Sequence, residues 1–207
     1  MTQQEITILN LGQSLDDLAN LDPRGYGVCK ILYKASRELA GEPTCMHAAK
    51  KLVSTVKEGD FVYVMTGFVL RPYKKAEMDG IVSSMLLCRA LVKAFGAKPV
   101  IICPEDNYEA VKNLAACVGL HLFEDLEDLR NIPVSMGVVC FTKDADKAAA
   151  QADEIIAKMP PSAVISIECP GANAKGVYHN AIGLDATLNS LTHNTPHLSK
   201  KYPYLLT

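Results

Sequence analysis

Two carboxylates and a glycine stand together in the stretch Glu77-Met78-Asp79-Gly80, and a third carboxylate, Glu168, closes an apolar run much further along the chain. A helix start needs only one acid as its cap, so the second acid requires another reason. Burial and mutual repulsion raise the pKa of one acid above that of its neighbour, which lets a pair divide acid and base work. We therefore take Glu77, Asp79 and Glu168 as candidate catalytic residues.

The same acids admit other interpretations. Glu77 and Asp79 supply the oxygen ligands that Mg²⁺ or Mn²⁺ prefers, but their spacing is not diagnostic of a metal site, so the cofactor stays open. In the purely structural interpretation, Asp79 caps a helix, Glu77 is exposed, and Glu168 pairs with a lysine or accepts loop N–H bonds.

Polar residues surround the first acid pair. Thr66 and Gly67 leave a predicted strand, and a glycine there permits a tight turn or the close approach of a ligand. Arg71, Lys74 and Lys75 add positive charge. The helix start at Gly80 adds unpaired N–H groups that attract an anion. Further candidates for orienting a substrate are His179 and Asn180.

Other chemistry is weaker in this sequence. Cys169 follows Glu168, but no histidine is placed as its base, so a buried thiol is favoured over a nucleophile. Pro196 between His193 and His197 disfavours a helical metal pair. Neither GxGxxG nor GxxxxGK[ST] occurs, which counts against a nucleotide-dependent enzyme.

The segments that would position these residues alternate between strand-like apolar runs and helical hydrophobic patterns. Continuous apolar runs at 61–66, 99–103, 137–141 and 163–168, with a shorter one at 121–123, predict strands buried on both faces. Helical patterns at 79–95, 107–118, 124–130 and 144–158 separate them. This alternation predicts an α/β fold, a three-layer αβα arrangement with a doubly wound, mostly parallel, Rossmann-like sheet. Ligands of such sheets bind at the carboxyl ends of the strands, where PEDN at 104–107 also falls.

The 207 residues, 49% of them hydrophobic, predict a single domain over 1–207. Its parts are N-terminal helices at about 14–56, a sheet core at about 60–168, and a C-terminal hairpin and irregular tail at 169–207. A net charge of −2 excludes a broad nucleic-acid surface. Seven cysteines without CxxC, no signal peptide and no long apolar run predict a cytoplasmic protein without a membrane partner. A homo-oligomer stays open.

Two longer motifs carry a family resemblance: E-x-D-G opening a helix at Glu77, and IECPGANAKGVYHNAIGLD after the last strand. Together they resemble the D-glutamate cyclase-like family over about residues 22–187. The family usually has threonine where this chain has Met78, and arginine where it has Cys169. Gly171 and Tyr178 match the pattern and join the candidate substrate-binding residues.

The resemblance implies a carbon–oxygen lyase that converts D-glutamate, or a related small amino acid, to 5-oxo-D-proline and water. The expected partner is thus a small amino acid or carboxylate. Two other hypotheses stay open at this point. One is a binding module for a small anionic metabolite that performs no catalysis, and the other is a nucleotide-dependent enzyme on the same sheet.

Overall fold

The computed structural model describes residues 1–70, 75–169, 173–179 and 205–206. By their internal contacts the residues group into two compact units, Met1–Thr55 and Val56–Thr207. The first unit is helical and the second contains the sheet. The expectation of a single domain stays a prediction.

The first unit consists of three helices: α1 (Gln3–Ala19), α2 (Val28–Ala40) and α3 (Thr44–Thr55). The sequence predicted N-terminal helices over about 14–56, and α2 and α3 lie within that range. Helix α1 begins eleven residues before the predicted start at about residue 14. A capping box explains the early start, since Thr2 Oγ1 accepts a bond from the Glu5 N–H and the Glu5 carboxylate accepts one from the Thr2 N–H.

The second unit alternates strands and helices as predicted. Its elements in chain order are β1 (Phe61–Met65), β2 (Val69–Leu70), β3 (Lys75–Ala76), α4 (Met78–Phe95), β4 (Lys98–Cys103), α5 (Glu105–Cys117), β5 (His121–Phe123), α6 (Leu126–Asn131), β6 (Ser135–Cys140), α7 (Ala145–Lys158), β7 (Pro161–Ser166) and β8 (Leu205–Leu206). The short antiparallel pair of β2 and β3 was not predicted. Two residues on each side are too few to give a period in the sequence.

The main sheet has the order β5-β6-β4-β1-β7-β8, and every described pairing in it is parallel. The chain moves outward from β1 to β4 and β5, and then reverses towards β6 and β7. Right-handed crossovers place the connecting helices of the two directions on opposite faces of the sheet. Helices α4 and α5 cover one face and α6 and α7 the other, which confirms the three-layer αβα, Rossmann-like fold.

Strand β1 shows why the runs are continuous rather than alternating. All five of its residues are buried, because both faces of the strand are covered. Phe61, Tyr63 and Met65 belong to the cluster packed against α7, and the Tyr63 hydroxyl donates to the Met159 carbonyl at 2.5 Å. This central position holds the carboxyl end of β1 in place between its neighbours.

The C-terminal part agrees with prediction only in places. Leu205–Leu206 extends the sheet as a parallel edge strand beside β7, where an irregular tail was expected. Most of the predicted hairpin, from Asn180 onward, lies outside the described residues. Within the described part of the chain, no helix has the length and apolar character to span a bilayer. The cytoplasmic location stays a prediction.

Candidate functional site

The carboxyl ends of three neighbouring strands are tied together by backbone hydrogen bonds. The Thr66 N–H donates to the Ile102 carbonyl at 3.1 Å, which continues the pairing of β1 with β4. The Ile167 N–H donates to the Met65 carbonyl at 2.9 Å, which continues the pairing of β1 with β7. The residues that follow these strands therefore start from fixed positions on one edge of the sheet.

Gly80 brings the acid-bearing helix start against Glu168. A Cβ atom added at Gly80 would lie 2.6 Å from the Glu168 Cβ, 3.0 Å from its Cγ and 3.1 Å from the Thr66 Oγ1. Real side chains essentially never approach that closely, so only glycine fits here. The glycine of the E-x-D-G motif thus allows the start of α4 to approach the residue after β7. The motif alone did not reveal this contact.

Glu168 itself has a strained backbone. Its φ of 50° lies in the left-handed region. Among the described non-glycine residues, only Val134 shares this conformation. A conformation of this kind costs on the order of 1 kcal/mol for a residue with a Cβ. Strain of this kind at a residue that lies against Gly80 supports its choice as a candidate functional residue.

The start of α4 corrects the structural interpretation of the acid pair. Glu77, not Asp79, occupies the N-cap position, and its side chain makes no capping bond. The Glu77 N–H donates to the Phe68 carbonyl at 3.0 Å, which fixes the backbone before the helix. Asp79 lies in the first turn, where its carboxylate accepts a bond from the Gly80 N–H at 2.8 Å. Glu77 therefore has no capping role, as the sequence suggested.

The three carboxylates influence one another. Partial burial raises the pKa of Glu77, and the neighbouring Asp79 charge raises it further. Burial likewise raises the pKa of Glu168, followed by the charges of Asp79 and Glu77. Glu168 is exposed as a whole residue, but its Cβ–Cγ stem lies against the Gly80 backbone, so water is excluded from one side only. The cluster therefore favours carboxyl groups that hold a proton.

Among the described residues, no cationic side chain pairs with these three carboxylates. No lysine or arginine in the ranges 1–70, 75–169 and 173–179 forms an ion pair with Glu77, Asp79 or Glu168. No group of three or more His, Cys, Asp or Glu side chains in that part of the chain is arranged to hold a metal ion. The proposed metal ligands Glu77 and Asp79 remain a prediction.

Cys169 has the properties of a buried thiol. Desolvation raises its pKa to about 11, a contact with Ser166 opposes the rise, and the adjacent Glu168 charge adds to it. The side chain packs against the hydrophobic core cluster. Because the thiolate is the nucleophilic form, a pKa this high leaves Cys169 unreactive near neutral pH.

The other predicted binding residues divide into three groups. Thr66 and Gly67 are buried directly after β1. Thr66 also lies beside Gly80. Lys75 is exposed in β3, while Tyr178 is buried and His179 exposed after a turn that the Asn173 side chain organises. Arg71, Lys74, Gly171 and Asn180 lie outside the described residues.

Asn107 is a polar residue that sequence reasoning did not select. It lies in the first turn of α5, after the end of β4, and it is completely buried. Neither its Nδ2 nor its Oδ1 atom has a hydrogen-bond partner in the part of the chain that the structure describes. Leaving such a group unpaired costs about 1–3 kcal/mol. The signal was available, because Asn107, Val111 and Ala115 recur every four residues and a polar residue interrupts an apolar stripe.

The same edge also carries a recess of about 570 Å³, between the ends of β4 and β6. It is lined by Glu105, Asp106, Phe141, Thr142, Lys143 and Asp144. Lys143 and Asp106 form an ion pair across it. Two of its charged groups are thus paired with each other, whereas no ion pair to the carboxylates at the start of α4 is found among the described residues.

Comparison with known proteins gives a family match. The family model described as "D-glutamate cyclase-like, C-terminal" matches residues 15–198. That range includes both compact units in large part and both motifs on which the resemblance was based. No curated protein matches the chain.

Proposed function

Because this chain belongs to the D-glutamate cyclase-like, C-terminal family, we propose that it is a lyase that converts D-glutamate, or a related small amino acid, to 5-oxo-D-proline and water. The observation that carries the proposal is the contact of Gly80 with Glu168. That contact places the acids at the start of α4 and the acid after β7 at one edge of the sheet.

The reaction has two requirements that carboxyl groups can meet. The α-ammonium group of glutamate must lose a proton before its nitrogen attacks the γ-carboxyl carbon. The γ-carboxyl group must then lose an oxygen as water, which requires a proton on the leaving hydroxyl group. A C–N bond forms and a C–O bond breaks, and the nitrogen loses two protons in all, both of which leave on the departing oxygen as water.

The roles follow from the environment of each acid. The raised pKa of Glu168 and of Glu77 suits them to hold the proton that the leaving hydroxyl group needs. Asp79 is exposed and its carboxylate accepts a bond from the Gly80 N–H, so it is placed to attract the ammonium group. Two acids and one base are more than the reaction needs, and single substitutions will separate them.

The test is an assay for 5-oxo-D-proline by chiral chromatography and mass spectrometry. Purified protein is incubated with D-glutamate or L-glutamate, with Mg²⁺, with Mn²⁺ or with a chelator. At least one of Glu168→Gln and Glu77→Gln should lower the rate by about a hundredfold or more, as expected for removal of the general acid. Glu127→Gln, at an exposed glutamate on α6, serves as the matched control.

Two outcomes would overturn the proposal. If the wild-type protein forms no 5-oxo-D-proline under any of these conditions, the lyase assignment is wrong. If Glu168→Gln and Glu77→Gln are as active as Glu127→Gln, the acids have no catalytic role. A dependence of the rate on Mg²⁺ or Mn²⁺ would support the metal hypothesis for Glu77 and Asp79.

A second candidate is a binding module for a small metabolite that performs no catalysis. The exposure of Asp79 and Glu168 favours it, because catalytic acids are commonly more enclosed. It predicts D-glutamate binding without product, and binding that survives Glu168→Gln. The same set of variants therefore distinguishes the two functions.

A further inference from the structure

We infer that Asn107 is a substrate-binding residue whose amide takes the head group of an α-amino acid, with Oδ1 accepting from the ammonium and Nδ2 donating to the carboxylate. The inference rests on the proposed function, since it specifies the ligand at the same edge. It starts from a buried polar group that the protein itself leaves unpaired.

The position of Asn107 follows from the chain around it. The residue lies one turn into α5, where its N–H donates to the Pro104 carbonyl at 2.9 Å directly after β4. Strand β4 pairs with β1 up to the Thr66 N–H, and Thr66 is in turn beside Gly80 and Glu168. Helix α5 also packs against β3 and α4, the elements on both sides of Glu77.

The direction of the side chain follows from the helix period. Asn107, Val111 and Ala115 are the buried residues of α5 and form one stripe facing the interior. Asn107 is the member of that stripe nearest the carboxyl end of the strands. Its side chain therefore faces the interior at the carboxyl edge of the sheet, and not solvent.

The chemistry of the amide selects the ligand. One free donor and one free acceptor in a dry position match a group that offers both an acceptor and a donor. The α-ammonium and α-carboxylate of an amino acid offer this combination on adjacent atoms. The acids at the start of α4 favour the same end of the ligand, because a positive ammonium group is attracted to negative carboxylates.

The test measures binding separately from turnover. The dissociation constants of D-glutamate and of glutarate, which lacks the amino group, are determined by calorimetry for the wild type, Asn107→Leu and Asn107→Ala. Asn113→Leu, at an exposed asparagine on the same helix, is the matched control. We expect both Asn107 variants to bind D-glutamate about tenfold more weakly or worse, with a smaller loss for glutarate.

Stability of the free protein distinguishes this role from a structural one. An amide that the protein leaves unpaired contributes nothing to folding, so Asn107→Leu should leave the melting temperature unchanged or raise it. A clear fall in melting temperature with unchanged D-glutamate affinity in either variant would overturn the inference. So would equal losses for D-glutamate and glutarate, or no D-glutamate binding by the wild type.

The outcome is independent of the cyclase assay. Binding that depends on Asn107 without any 5-oxo-D-proline would support the head-group site and contradict the lyase. Product formation that is unaffected by Asn107→Leu and Asn107→Ala would support the lyase and contradict the head-group site.

Discussion

The protein holds carboxylates in two opposite ways, and the difference separates a structural acid from a reactive one. Asp16 in the helical unit is almost fully buried, at 2% exposure. Its carboxylate accepts bonds from the Thr44 N–H at 2.6 Å, the Thr44 hydroxyl at 3.0 Å and the Cys45 N–H at 2.8 Å. Burial alone would raise its pKa, but these donors outweigh burial and hold the pKa well below its usual range.

For Glu77 and Glu168 at the sheet edge, the balance between burial and hydrogen-bond donors is the opposite of that for Asp16. Glu77 and Glu168 are less buried than Asp16, yet their pKa values are raised, first by burial and then by neighbouring negative charge. The comparison teaches that hydrogen-bond donors can reverse the rise in pKa that burial alone causes. The carboxylate of Asp16 has three such donors at the start of α3, whereas no donor to the Glu77 or Glu168 carboxylate is found among the described residues.

The largest expected effect comes from removing the structural acid. Asp16→Ala leaves the N–H groups of Thr44 and Cys45 buried without their charged partner, so the free energy of unfolding should fall by about 3 kcal/mol. Urea denaturation at neutral pH measures it. Asp17→Ala, at the exposed neighbour of Asp16, should change stability by less than about 0.5 kcal/mol. Similar values for the two variants would contradict a structural role for Asp16.

The next effect tests the contact at the sheet edge. An alanine in place of a helical glycine normally stabilises a helix by up to about 1 kcal/mol. Gly80→Ala should instead destabilise the protein by about 1–3 kcal/mol, because the new Cβ would lie 2.6 Å from the Glu168 Cβ. Urea denaturation decides the sign, with Ser83→Ala on the exposed face of α4 as the control. Stabilisation by Gly80→Ala would show that the helix start and Glu168 do not touch.

A smaller effect should appear with pH, in opposite directions for the two kinds of acid. Because the pKa of Asp16 is lowered in the fold, its carboxylate stabilises the protein at pH values above the pKa of the unfolded chain. This stability is lost as the pH falls through the folded pKa. The raised pKa of Glu168 means that the folded state binds more protons. The contribution of Glu168 to stability therefore decreases as the pH rises from about 4 through its folded pKa.

Glu168→Gln should thus raise the melting temperature slightly at neutral pH and have no effect at low pH. Solvent screens this exposed side chain, so the gain should stay below about 1 kcal/mol. Asp16→Asn should show the reverse, a large loss at neutral pH that diminishes in acid. Thermal melts of both variants from pH 3 to pH 8 give the two curves. Curves of the same sign would remove the distinction between the two acids.

The smallest effect concerns the thiol beside Glu168. With its pKa raised to about 11, Cys169 is protonated at neutral pH. Cys169→Ala should therefore leave 5-oxo-D-proline formation within about twofold of the wild type, with a moderate loss of stability from the core packing. A loss of activity of a hundredfold, at unchanged folding, would restore the nucleophile hypothesis.

The sequence predicted much of the fold because its strands are continuous apolar runs. The runs at Phe61, Lys98 and Pro161 became β1, β4 and β7 within two residues of the predicted bounds, and the αβα layers followed from their alternation with helices. The early start of α1 was missed, although its capping box is present in the sequence. The β8 strand could not be predicted, since two residues acquire a strand conformation only by pairing with β7.

The sequence selected candidate residues for the site but could not give the contacts among them. Glu77, Asp79 and Glu168 were chosen from position and family motif, whereas the approach of Gly80 to Glu168 and the positive φ of Glu168 depend on how the chain folds. The unpaired amide of Asn107 is a property of its surroundings and not of its spacing. Sequence identifies polar groups, and only structure shows which of them lack partners.

The central claim is that the acids at the sheet edge hold protons more tightly than ordinary carboxylates, while Asp16 holds its proton less tightly. Titration of the side-chain carboxyl carbons by NMR tests it directly, with resonances assigned from Glu77→Gln, Glu168→Gln and Asp16→Asn. We predict midpoints above 4.5 for Glu77 and Glu168, and below 3.8 for Asp16. Midpoints at or below 4.5 for both glutamates would contradict the account.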